Sequence, residues 1–100
     1  MNYKNTYCVV KLQEEDKCSE CGSLGKQYIF FYTNSENVVS TYKPSLCHKC
    51  VKNEILNFSS FDSIPFRLFL KIVKITPKNK ITESAFFLLE RIKNLIVYDT

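Results

Sequence analysis

One hundred residues, 45% hydrophobic and 24% charged, suffice for one small globular domain and exclude a disordered tail. The longest unbroken apolar runs are a few residues, which excludes a helical membrane span, and five cysteines, an odd number, argue against a closed disulfide framework. A formal charge of +4 is too modest to demand a polyanionic partner, and it falls to about +2 if four cysteines hold one zinc ion as thiolates.

The first residues, MNYKNTYCVVKL, carry no basic-then-apolar leader pattern. The expected location is therefore intracellular, in cytoplasm or nucleus, where cysteines stay reduced and serve better as ligands than as disulfides. Lys far outnumbers Arg, and Asn and Ile are frequent. That bias suits an AT-rich coding source such as a virus or phage, and for a virus the location is the host cell.

Residues 6 to 12, TYCVVKL, are β-branched and aromatic and read as a short strand, with Cys8 as a buried small hydrophobe. The polar run QEEDK then leads into CSECG. From Lys26 to Thr33 a second strand follows, the tetrad Asn34-Ser35-Glu36-Asn37 is a turn, and residues 38 to 43 return as its hairpin partner. Pro44 ends the hairpin. A helix is expected from about Cys47 to Phe58, with Val51, Ile55 and Phe58 at helical spacing.

Beyond FSSFDS, Asp62 or Ser63 is the expected cap and Pro65 the first turn of a second helix that stops before Thr76-Pro77. A helix would gather Arg67, Lys71, Lys74 and Lys78 into one stripe, with Lys80 beyond. Thr82 caps a third helix, with Glu83 in its first turn and Ala85, Leu88, Ile92, Leu95 and Ile96 as its core face. The expected architecture is α+β: a zinc-binding hairpin-and-helix module over residues 1–60, and a helical extension over 61–100 packed on it, together one structural domain.

The chemistry lies in Cys18-x-x-Cys21 and Cys47-x-x-Cys50, which bracket the expected hairpin. A haem attachment needs CxxCH, whereas His48 lies inside the pair. A thioredoxin-like site needs one CxxC in a βαβ setting, and a catalytic Cys-His couple needs a cleft and an orienting partner. Two pairs are what a tetrahedral zinc site requires, because each turn supplies two corners. Gly22 permits a left-handed backbone after the first pair, and the second pair opens a helix whose N–H groups favour thiolate. His48, beside better-placed thiols, is expected in solvent or in contact with the coordination sphere from outside. One structural Zn2+ held by Cys18, Cys21, Cys47 and Cys50 is the expected cofactor.

The sequence CSECG, a hairpin, then CHKCV at a helix start resembles a treble-clef zinc finger, and within that class the amino-terminal zinc domain of the ClpX unfoldase family. The resemblance covers roughly residues 16 to 58. It implies a small binding module that self-associates or recognises other proteins, and no ATPase motif follows from which unfoldase activity could come.

Two binding surfaces are expected. Phe31, on the strand face opposite Tyr28, Phe30 and Tyr32, and Phe86 and Phe87, flanking the Glu83 and Glu90 arc of the third helix, would form an apolar contact for a partner protein or a second copy of the chain. Arg67, Lys71, Lys74, Lys78 and Lys80 would instead track a nucleic-acid backbone, although a solvated helix face accounts for the same pattern. An enzyme is not expected: there is one His, no Gly-rich phosphate loop and no pair of carboxylates placed for acid–base work. The leading expectation is a zinc-stabilised protein-binding adaptor or regulator, and the alternative is a nucleic-acid-binding transcriptional regulator.

Overall fold

The computed structural model describes residues 4–95. It is an α+β fold with four strands, β1 (Thr6–Lys17), β2 (Leu24–Thr33), β3 (Val39–Thr41) and β4 (Asp62–Ser63). Three helices accompany them, α1 (His48–Asn57), α2 (Phe66–Ile75) and α3 (Glu83–Leu95), and a single 3-10 turn, Lys78–Lys80, joins the last two. The strands make one sheet in the order β3-β2-β1-β4.

The principal pairing is β1 with β2, antiparallel from Thr6↔Thr33 to Lys17↔Leu24, with a bulge between Lys11 and Glu15. The polar run QEEDK is thus strand, not the connection expected. Residues 13–15 are exposed, so no side-chain alternation marks them. What holds the distal end is Gln27, whose buried amide nitrogen lies 2.9 Å from Asp16 O, 2.9 Å from Gly25 O and 3.3 Å from Ser23 O. The β2–β3 hairpin forms where expected. Asn34 Oδ1 accepts the N–H groups of Glu36 and Val38, and Asn37 takes the left-handed φ of 62° that Asn tolerates.

Period-two alternation sorts β1 and β2 onto two faces, and both are covered. Cys8, Val10 and Leu12 of β1 share one face with Ile29 and Phe31, under Phe69 of α2 and Ala85, Leu88, Leu89 and Ile92 of α3. Tyr7 and Val9 share the other with Tyr28, Phe30 and Tyr32, under Val51 and Ile55 of α1 and Phe58 beyond it. Phe31 was expected on a docking surface. It is instead wholly buried, its ring 5.3 Å from that of Phe69 and 6.2 Å from that of Phe66. The assignment to opposite faces holds, but β2 lies between two helical layers, so neither face is free.

Asp62 and Ser63 do not cap α2. They form β4, parallel to the start of β1, and the N–H groups of Asp62 and Ile64 donate to Asn5 O and Tyr7 O at 2.9 Å each. Pro65 then takes the N-cap position with no side-chain cap, an arrangement in which its missing N–H goes unneeded. Helix α2 ends at Ile75, and Thr76 is extended ahead of Pro77. Arg67, Lys71 and Lys74 are exposed on α2, but Lys78 and Lys80 sit on the 3-10 turn. The five cations are therefore a discontinuous band and not one helical stripe. On α3, Thr82 Oγ1 accepts from Ala85 N as the expected cap, and Ala85, Leu88 and Ile92 are buried together with Leu89. The side chain of Leu95 and residue Ile96 lie outside the described residues. No helix among the described residues is long and apolar enough to cross a membrane.

Candidate metal centre

The first cysteine pair occupies the turn between β1 and β2. Cys18 N donates to Ser23 O at 2.8 Å and Gly22 N to Cys18 O at 2.9 Å, closing a tight knuckle. Gly22 has φ 80°, a left-handed conformation in which any side chain would be strained. The second pair opens α1: Cys47 is the N-cap, and its Sγ accepts from Cys50 N at 3.5 Å, the bond that a serine oxygen makes in an ordinary cap.

One short segment, Ser45-Leu46, brings the pairs together. Leu46 pairs with Tyr28 through N···O bonds of 2.7 and 2.8 Å, which fixes the start of α1 against β2. Ser45 ties the same segment to the knuckle: its hydroxyl donates to Lys17 O at 2.8 Å and its carbonyl accepts from Ser19 N at 3.0 Å. Ser45 and Gln27 are thus the residues that set the geometry, and neither stands out in the sequence. A lone Ser before a CxxC and a Gln in an apolar strand carry no periodic or motif signal.

The result is a cluster in which the sulfurs of Cys18, Cys21, Cys47 and Cys50 all lie within 4.8 Å of one another. Cys21 Sγ and Cys47 Sγ are 3.6 Å apart. A tetrahedral zinc with bonds of about 2.3 Å holds its sulfurs about 3.8 Å apart, so the spacing fits. None of the five cysteines is in a disulfide. Cys18 is buried, Cys47 and Cys50 are half-buried, and Cys21 faces solvent.

The thiols differ electrostatically. Burial is the largest single influence on Cys18 and opposes its ionisation, yet the backbone N–H groups of Cys21, Cys47 and Glu20 together lower its pKa. The Cys50 N–H, then the Ser23 hydroxyl, pull Cys47 down to about 6. The hydrogen bond to Cys47, then burial, pushes Cys50 up to about 12. A dication at the centre would favour thiolate at all four positions, and four thiolates would fill its coordination sphere.

His48 is exposed on the first turn of α1, its ring 5.9 Å from that of Tyr28, and is not among the clustered ligands. Cys8 lies on the opposite face of the sheet and is 1% exposed, with burial pushing its thiol well above the ordinary range. Among the other expected surface residues, Phe86 is 45% and Phe87 65% exposed on α3.

No family model, no curated protein and no solved structure matches this chain.

Proposed function

We propose that this protein is a non-catalytic, zinc-stabilised adaptor or regulator that binds another protein through its C-terminal helices. In this reading, the knuckle, the β2–β3 hairpin and α1 form a treble-clef-like module whose metal is purely structural. One observation carries the reading: the four-sulfur cluster and the two exposed phenylalanines of α3 are separate. The cluster belongs to the core under α1, whereas Phe86 and Phe87 are exposed on α3, over the opposite face of the sheet. A saturated thiolate sphere leaves no open position for a reacting group, and large exposed aromatics on a small domain suit a protein contact.

A second reading keeps some support. From Arg67 to Lys80 there are five exposed cations and no carboxylate, which suits a phosphate backbone. Affinity capture from the native source, with and without nuclease and over a salt range, separates the two. A partner protein retained at high salt and after nuclease, and lost with Phe86→Ala/Phe87→Ala while zinc stays bound, is the expected result. Capture that disappears with nuclease or falls steeply with salt would establish the nucleic-acid reading instead.

A further inference from the structure

Between α2, the 3-10 turn and α3 runs a half-open groove of about 560 Å³. Leu89, 5% exposed, lies deep in it; Val73 and Ile81 are half-buried beside it, and Phe86 forms a wall. Lys74 stands on α2 and Lys78 on the 3-10 turn that follows it, and neither makes an ion pair among the described residues. Glu90 stands on the α3 side. The lining is therefore apolar with cations along one rim.

We infer that this groove docks an acidic amphipathic helix of a partner protein, its apolar side against Val73, Ile81, Phe86 and Leu89 and its carboxylates against Lys74 and Lys78. The inference rests on the adaptor reading and names the chemistry of the partner. A helix is the fitting occupant because α2 and α3 supply two of the walls, and their backbone groups are bonded internally and offer no strand edge. The occupant must satisfy its own backbone hydrogen bonds. Helix α2 has ten residues, about 15 Å, so the occupant engages two to three turns through positions i, i+3 or i+4, and i+7.

Charge selects the sign. Lys74 and Lys78 are the cations that line the groove and Glu90 is its one carboxylate, so the rim where the lysines stand attracts acidic side chains and rejects basic ones. Glu90 confines the occupant's carboxylates to the α2 side, which fixes the direction in which the helix lies. A second copy of this chain is a poor occupant, because the protein is itself net positive and its own α2 is basic. The same lysines that suggested a phosphate contact are here the polar rim of an apolar site, where they steer association and set specificity.

The test is selection of a phage-displayed library of random peptides, each about three helical turns long, on the immobilised zinc-loaded full chain. Calorimetry with the enriched peptide made synthetically then measures its affinity. The expected peptides carry apolar residues at helical spacing and a net negative charge. Phe86→Ala weakens binding about tenfold, Lys74→Glu/Lys78→Glu weakens it as much, and a peptide with its acidic residues changed to lysine recovers affinity for the latter variant only. All three substitutions are at exposed positions, so zinc content and melting temperature are expected to stay at wild-type values. Enrichment of neutral or basic peptides, no enrichment, or binding indifferent to these substitutions overturns the inference. So does saturable binding of decanoate at the groove without any peptide, or light scattering that shows a dimer dispersed by Phe86→Ala. If native capture yields a partner that ignores the groove substitutions, this inference alone fails; if no protein is captured, the adaptor reading fails first.

Discussion

The two faces of the sheet are held by different physics. Under α2 and α3, a continuous apolar cluster runs from Cys8 and Phe31 through Phe69 to Ile92. Under α1, the fully buried set is Phe30, Leu46, Val51 and Cys18, finished by an aromatic group in which Phe58 lies 4.8 Å from Phe30 and 5.1 Å from Tyr32. That smaller cluster ends at the four sulfurs. One helix layer is an ordinary hydrophobic core. The other is a core with fewer fully buried residues, which metal–thiolate bonds at the four clustered sulfurs would complete. Phe86 and Phe87 lie on the first side, the exposed Leu24 and Leu56 on or near the second.

The comparison breaks most readily at the metal. Chelation is expected to remove a contribution of about 10–16 kcal/mol at neutral pH, as large as the whole stability of a small domain, and Cys50→Ser, which takes one of the four thiolates, several kcal/mol of it. Circular dichroism should then show loss of the native fold. Iodoacetamide labelling sharpens the result, because Cys8 lies on the metal-free face and its buried thiol is unreactive in the folded protein. If β1 and β2 join both layers into one cooperative unit, Cys8 labels together with the cage cysteines after chelation. Protection of Cys8 while the cage labels would mean that the α2–α3 side folds alone.

On the hydrophobic side, Phe69→Ala leaves a void against Phe31 and should lower stability by about 3–5 kcal/mol. Denaturant unfolding of the zinc-loaded protein measures this, with metal stoichiometry still at one. A loss under about 1 kcal/mol would show that α2 is not held by this core. The smallest effect is expected at the hinge between the two halves of the cage. Ser45→Ala removes the donor to Lys17 O and should weaken folding by about 1–2 kcal/mol, with faster zinc transfer to a chromophoric chelator. An unchanged transfer rate would remove Ser45 from the account of the cage.

Helices were the legible part of this sequence. The spacing of Val51 and Ile55, the proline at 65, and Thr82 with Glu83 placed α1, α2 and α3 within a residue or two, because amphipathic periodicity and caps are local signals. The cysteine cluster was legible for the same reason: two residues apart by a fixed short spacing, repeated once. The differences share another cause, since each depends on an element that lies outside the segment itself. Nothing in QEEDK announces that it stays paired to residues 24–26, or in Asp62-Ser63 that Asn5 and Tyr7 wait for its N–H groups. Alternation puts Phe31 on its side of β2, but whether that side meets water depends on α2 and α3, more than thirty residues later.

The stitching of β4 onto the start of β1 has a consequence for biosynthesis. The sulfur ligands are complete once Cys50 has left the ribosome, but the outer rim of the first strand and its Cys8 side stay bare until later residues follow. At typical elongation rates that delay is roughly a few seconds. During it, a nascent chain already clamped by metal would display an uncovered apolar sheet, and chaperone capture of such intermediates should track zinc supply in the producing cell.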